Sequence, residues 1–116
     1  MIKNRIHVEC EWLLFLSATE EISEVRKLKE SEQARIRKIY LDLTVEDAEK
    51  VNDLEKTTNH DVKAIEYYVK DRLKEDPELV ELTEWIHFAC TSEDFNNTAY
   101  AIMLGQARSD VLMGVI

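Results

Sequence analysis

Two short stretches of the sequence carry residue types that can hold an anion or move a proton. TTNHDVKAIEYY (57–68) sets Asn59, His60 and Asp61 directly ahead of a helical apolar pattern, and WIHFACTSEDFNN (85–97) does the same with His87, Thr91 and Ser92. A helix start leaves about four backbone N–H groups unpaired and carries a partial positive charge. Carboxylates and phosphates bind there readily. A histidine beside such a start donates a hydrogen bond or moves a proton near neutral pH. The same residue types are also ordinary helix caps, a job that suits Asn59, Asp61 and the run Thr91-Ser92-Glu93. On residue types alone, capping and ligand binding both stay open at each position.

A metal site is a weaker reading. His87-x-x-Cys90 gives one ligand pair at a workable spacing, and His60 with Asp61 adds further donors. Structural zinc sites show two clear Cys/His pairs, so no metal is expected here. His7, between Arg5 and Glu9 on the first apolar segment, reads as a surface or interface histidine.

These residues must be positioned by helices. The chain of 116 residues holds only 2 Gly and 1 Pro, too few turn-formers for hairpins or a sandwich, and nothing in it suggests a strand. The fold expected is all-α, as one domain. Residues 2–17 form a helix apolar nearly all round, with Ile6, Cys10, Leu13, Leu14 and Ser17 on one side and Trp12, Phe15 and Leu16 over much of the rest. Such a helix needs partners on more than one face. Residues 19–29 are a charged connector or an exposed helix. A second helix begins at Ser31 with Ile36, Ile39, Tyr40 and Leu43 as its stripe, and Thr44 with Asp47 caps a third through Leu54. The helix after His60 turns Val62, Ile65, Val69 and Leu73 inward and ends before Pro77. Asp76 and Pro77 suit the N-cap and first position of a short helix with Leu79, Leu82 and Ile86 inward. Thr91 or Ser92 caps a last helix through Phe95, Ala99 and Ile102, still running near Ile116. Both ends of the chain read as cut from something larger, or else as a small domain that hides its first helix in a homo-oligomer.

Composition excludes several function classes. Asp and Glu number 24 against 15 Lys and Arg, a formal net charge of −9, which argues against a nucleic-acid partner. The apolar run Trp12–Leu16 is too short to span a bilayer. Two cysteines, Cys10 and Cys90, are expected reduced and packed, in keeping with a cytoplasmic protein.

TTNHDVKAIEYYVKDRL and WIHFACTSEDFNNTAYAIMLGQAR together closely resemble the N-terminal domain of the adenylosuccinate lyases, in the bacterial purine-pathway form. That family belongs to the fumarase/aspartase superfamily. The resemblance is strongest over 54–108 and continues upstream, where VECEWLLFL is similar to the family's early helix. It implies a β-elimination that releases fumarate from adenylosuccinate, giving AMP, and from the succinylated aminoimidazole-carboxamide ribotide. By the same resemblance Asn59, His60 and Asp61 line the nucleotide end, with His60 either an acid or a substrate hydrogen-bond donor. Thr91 and Ser92 hold a succinyl carboxylate, and His87 lies near the phosphate or supports the site. No cofactor is implied. The family's serine-bearing S-S-x-M-P-x-K-x-N-P loop and its T-H-x-Q segment do not occur in these residues. The resemblance therefore implies a domain inactive alone, whose residues 93–116 begin the central helix of a homotetramer. The alternative is a non-catalytic helical interaction module derived from the same domain.

Overall fold

The computed structural model describes residues 1–115, and it is helical with no strand among them. Five helices follow in order: α1 (Ile2–Ala18), α2 (Glu30–Leu41), α3 (Val45–Thr58), α4 (Asp61–Lys74) and α5 (Ser92–Ala107). A 3-10 helix, Val80–Trp85, lies between α4 and α5, and a π turn (Arg108–Leu112) carries α5 into a last helical turn, Met113–Val115. Ile116, expected to continue that helix, lies outside the described residues.

The first helix is the hub, packed against α2, α4 and α5. Ile6, Cys10, Leu13, Leu14 and Leu16 are all buried within the chain, together with Ile36 and Ile39 of α2 and Ile65, Val69 and Leu73 of α4. The alternative of a homo-oligomer that hides the first helix is not needed to cover this face. Leu13 and Leu16 are covered by the chain's own helices, and only Phe15, 59% exposed and stacked on Trp12, stays outside. His7 stacks on Tyr40 with ring centroids 4.2 Å apart, so it belongs to the α1–α2 seam.

Local chemistry explains most boundaries. Thr44 and Asp47 form the expected reciprocal cap, Asp47 N–H donating to Thr44 Oγ1 at 3.2 Å and Thr44 N–H to Asp47 Oδ2 at 3.1 Å. The helix they start runs on to Thr58, four residues beyond Leu54. Residues 19–29 form turns rather than a helix. Arg26 makes a two-pronged bond to Glu32, at 2.7 and 3.0 Å, and also pairs with Glu81, fastening this connector to the 3-10 helix. With the Lys29 N–H, the Arg26 guanidinium holds the Glu32 carboxyl down to about 2.

The short helix is displaced from its expected start. Asp76 accepts the Glu78 N–H at 3.0 Å, but this caps only a turn, and regular 3-10 geometry begins at Val80. Leu79, Leu82 and Ile86 are nonetheless all buried. Apolar spacing fixed which side faces inward. A six-residue segment was too short to fix its helix type.

The last helix changes character along its length. Phe95 and Ala99 are buried, whereas Tyr100, Leu104, Val111, Leu112 and Met113 stand exposed.

Candidate functional site

The ends of two helices bring the candidate residues together. Asn59 ends α3 in the left-handed region, φ 52° and ψ 29°, its N–H donating to the Glu55 carbonyl at 2.7 Å. Asparagine tolerates that conformation better than most residues, and it turns the chain directly into the next helix. His60 is then the N-cap of α4. Its backbone is extended, and its Nδ1 accepts the Lys63 N–H at 3.1 Å. A ring nitrogen accepts only when it carries no proton, so this bond assigns the neutral ring its proton on Nε2. That Nε2 lies 3.3 Å from Ser92 Oγ, at the start of α5. With Nε2–H donating to the serine, the Ser92 hydroxyl keeps its own proton for another acceptor.

The start of α5 is held by a strained loop. His87 and Ala89 both have positive φ, 65° and 59°, a region that costs a non-glycine residue roughly 1–2 kcal/mol. Tertiary bonds hold them there. The Trp12 indole N–H donates to the Phe88 carbonyl at 2.9 Å, and the His87 ring stacks on Phe95 with centroids 4.5 Å apart. His87 Nδ1 meets Glu9 Oε1 at 2.8 Å. The loop ends in a cap at Thr91, whose N–H donates to Asp94 Oδ2 at 2.7 Å and whose hydroxyl lies 3.3 Å from the same oxygen.

The six candidate residues thus fall into different positions. His60 and Ser92 form one contact. Asp61 is next to it, but its Oδ2 is taken by Arg5 at 2.7 Å and its Oδ1 by the Val62 N–H at 2.8 Å. Asn59 supplies the backbone turn, and Thr91 is occupied as a cap. His87 sits behind the loop on Glu9. Among the described residues no three His, Cys, Asp or Glu side chains gather as a metal-ligating set. Both cysteines are unpaired, Cys10 buried and Cys90 half-buried. The corner itself is open, with the His60 side chain 50% exposed.

Sequence reasoning missed three residues that build this corner. Arg5 bonds Asp61 and also donates from Nε to Asn96 Oδ1 at 3.0 Å. Glu9 is 1% exposed, and one of its oxygens, Oε2, has no partner. The signal for Glu9 was present: it occupies the i+3 place in the stripe Ile6, Cys10, Leu13, where a charge is out of pattern. Asn96 gave no such signal.

Burial raises the Glu9 carboxyl, and the hydrogen bond from Glu9 raises His87, so the pair keeps its shared proton to higher pH than separate groups would. For both groups the folded value lies above the unfolded one. For His87 the stabilisation is therefore complete below the ordinary histidine value of 6.5 and is lost as pH rises through the raised one, while the Glu9 contribution is complete only below the ordinary carboxyl value of 4.5 and declines above it. Urea midpoints measured from pH 6 to 8.5 are expected to fall, and Glu9→Gln with His87→Gln to flatten that fall. A wild-type midpoint that rises with pH would contradict the assignment.

Residues 2–116 match the profile of the lyase family. The chain is 42% identical over 113 residues to adenylosuccinate lyase of Haemophilus influenzae and 43% identical over 113 residues to that of Escherichia coli K12. It is 39% identical over 115 residues to that of Dictyostelium discoideum. Each comparison covers 97% of this chain and 25% of the relative, so the chain spans about a quarter of the length of the curated relatives it matches. An all-α domain with a full-length profile match and this level of identity belongs to the lyase family of the fumarase/aspartase superfamily.

Proposed function

We propose that this chain is the substrate-holding N-terminal domain of an adenylosuccinate lyase. The reaction would release fumarate from adenylosuccinate, leaving AMP, and from the succinylated aminoimidazole-carboxamide ribotide of purine biosynthesis. The observation that carries this reading is the His60–Ser92 contact, which joins two helix starts at one exposed corner. Helix-start N–H groups and a serine hydroxyl, held in place by a histidine N–H, together suit a substrate with several carboxylates and a phosphate.

The chemistry assigns each group a task. A base removes the proton beside a carboxylate, an acid protonates the departing nitrogen, and the carbanion between these steps spreads its charge onto that carboxylate. Donors aimed at those oxygens lower the barrier. Ser92 and the N–H groups of α5 take the carboxylate, with Thr91 capping the helix start that presents them, while Asn59 and His60 face the nucleotide end with Asp61 beside them. His60 serves as the donor that holds the Ser92 hydroxyl rather than as the acid. Releasing its Nε2 proton first requires a proton on Nδ1, which breaks the cap to Lys63. His87 supports the loop from behind, through Glu9 and Phe95.

The family's catalytic serine loop and second histidine lie in segments absent from these residues, so the chain by itself is expected to release no fumarate. The exposed Tyr100, Leu104, Val111 and Leu112 support a helix that continues into the bundle of a homotetramer. No described helix is long and apolar enough to cross a membrane. The interaction-module reading loses its first support, since α1 is covered within the chain. In a full-length lyase carrying this domain, His60→Ala is expected to raise KM for adenylosuccinate about tenfold, the cost of the one hydrogen bond that holds the Ser92 hydroxyl toward the substrate. Unchanged steady-state constants would refute the reading. For the chain alone, a melting temperature raised by AMP supports binding, and one left unmoved favours the interaction module.

A further inference from the structure

Arg5 reaches from α1 to the starts of both α4 and α5. Its Nη2 donates to Asp61 Oδ2 at 2.7 Å and its Nε to Asn96 Oδ1 at 3.0 Å, and its side chain is only 12% exposed. Asp61 is the first residue of α4, next to the His60 cap. Asn96 lies four residues beyond Ser92, hence one turn along the same face of α5. One planar fork therefore touches the two helices whose starts carry His60 and Ser92.

The rest of the corner depends on this spacing. The ring of His60 is fixed relative to α4 by the Lys63 N–H. Ser92 is fixed relative to α5 by its place in the first turn. Among the described residues, the only side-chain bond joining α4 directly to α5 is the one between His60 and Ser92. At 3.3 Å it is long and half exposed, too weak to set the separation of two helices. The bonds from Arg5 are shorter, charge-assisted and better shielded.

We propose that Arg5 is a positioning residue, whose guanidinium, held by Asp61 and Asn96 together, sets the His60–Ser92 separation that substrate binding uses. The proposal rests on the lyase reading above and deepens it. Asp61 then contributes through Arg5, both its oxygens being engaged already. Geometry rather than charge is the point. A lysine is a point donor on a flexible stem and does not reproduce a two-pronged, planar contact with acceptors on separate helices.

Arg5→Lys is the test, with Arg37→Gln as the control. Arg37 bonds Glu11 across the α1–α2 seam and makes no hydrogen bond to α4 or α5. In the 116-residue chain, nitrogen-15 NMR of the His60 ring and the cross-relaxation between that ring and Ser92 report the separation directly. Arg5→Lys is expected to weaken that cross-relaxation while the fold persists, and Arg37→Gln to leave it unchanged. In the full-length lyase, Arg5→Lys is expected to lower kcat/KM by about 10- to 100-fold, the usual effect of misplacing a binding group by an ångström or less. Cross-relaxation and kinetic constants like those of the unaltered protein would overturn the proposal. So would equal losses in Arg5→Lys and Arg37→Gln that track thermal stability alone. If the unaltered full-length protein cleaves no adenylosuccinate, the lyase reading fails, and the NMR comparison still decides the role of Arg5.

Discussion

Ser92→Ala in a full-length lyase containing this domain is expected to lower kcat/KM for adenylosuccinate by roughly 100-fold, the scale seen when one preorganised donor to a developing negative charge is removed. The hydroxyl does two things at once. It accepts from His60 Nε2 at 3.3 Å, and this leaves its own O–H available to a carboxylate. Alanine removes that donor and leaves His60 without its acceptor. Because the two side chains act as one unit, Ser92→Ala combined with His60→Ala should cost much less than the sum of the single losses. Steady-state kinetics on the four proteins of this cycle give the answer. Additive losses would mean that the two residues act on separate parts of the substrate and that their contact is incidental.

Phe95→Ala should be the most destabilising single change near the corner, at about 3–5 kcal/mol for the loss of a fully buried phenylalanine. For a domain of this size that lowers the melting temperature by more than about 10 °C. Phe95 is 1% exposed, one of two buried residues of α5, and its ring is the platform on which His87 lies. Its removal opens a cavity in the face that fixes α5 to the rest of the chain. It also withdraws the support that holds the left-handed backbone at His87 and Ala89. Thermal unfolding followed by circular dichroism measures the first effect. Faster amide exchange at residues 87–91 is the expected sign of the second. A variant that melts within a few degrees of the original would show that α5 is held by something other than this ring.

Much of this arrangement was legible in the sequence because each feature depended on near neighbours. The Thr44–Asp47 cap, the inward stripe of α4 and the helix start at Thr91 all arise within four residues, where spacing alone decides. The burial of Leu79, Leu82 and Ile86 was legible for the same reason, while the type of helix that carries them was not. The opening uncertainty over Asn59 and His60 has a local answer as well: asparagine takes the left-handed turn, and the histidine itself is the cap. What stayed hidden depends on distant partners. Nothing near position 5 in the chain indicates that Arg5 meets Asp61 and Asn96. Nothing near position 87 indicates that Glu9 stands behind it. The burial of Leu13 and Leu16 inside the chain likewise needed α2 and α4 to be set in place around α1.

The central place of α1 has a consequence for how the chain is made. Its partners lie far along the sequence: Arg5 and Asn96 are separated by 91 positions, Glu9 and His87 by 78, and Trp12 and Phe88 by 76. At a synthesis rate of about 5–20 residues per second, the first helix leaves the ribosome several seconds before the residues that finish its packing exist. During that interval Leu13, Leu14 and Leu16 have only part of their eventual cover, and closing the long loops to α5 comes last. The helix at the centre of the packing is therefore secured only once Phe95, made long after it, has arrived.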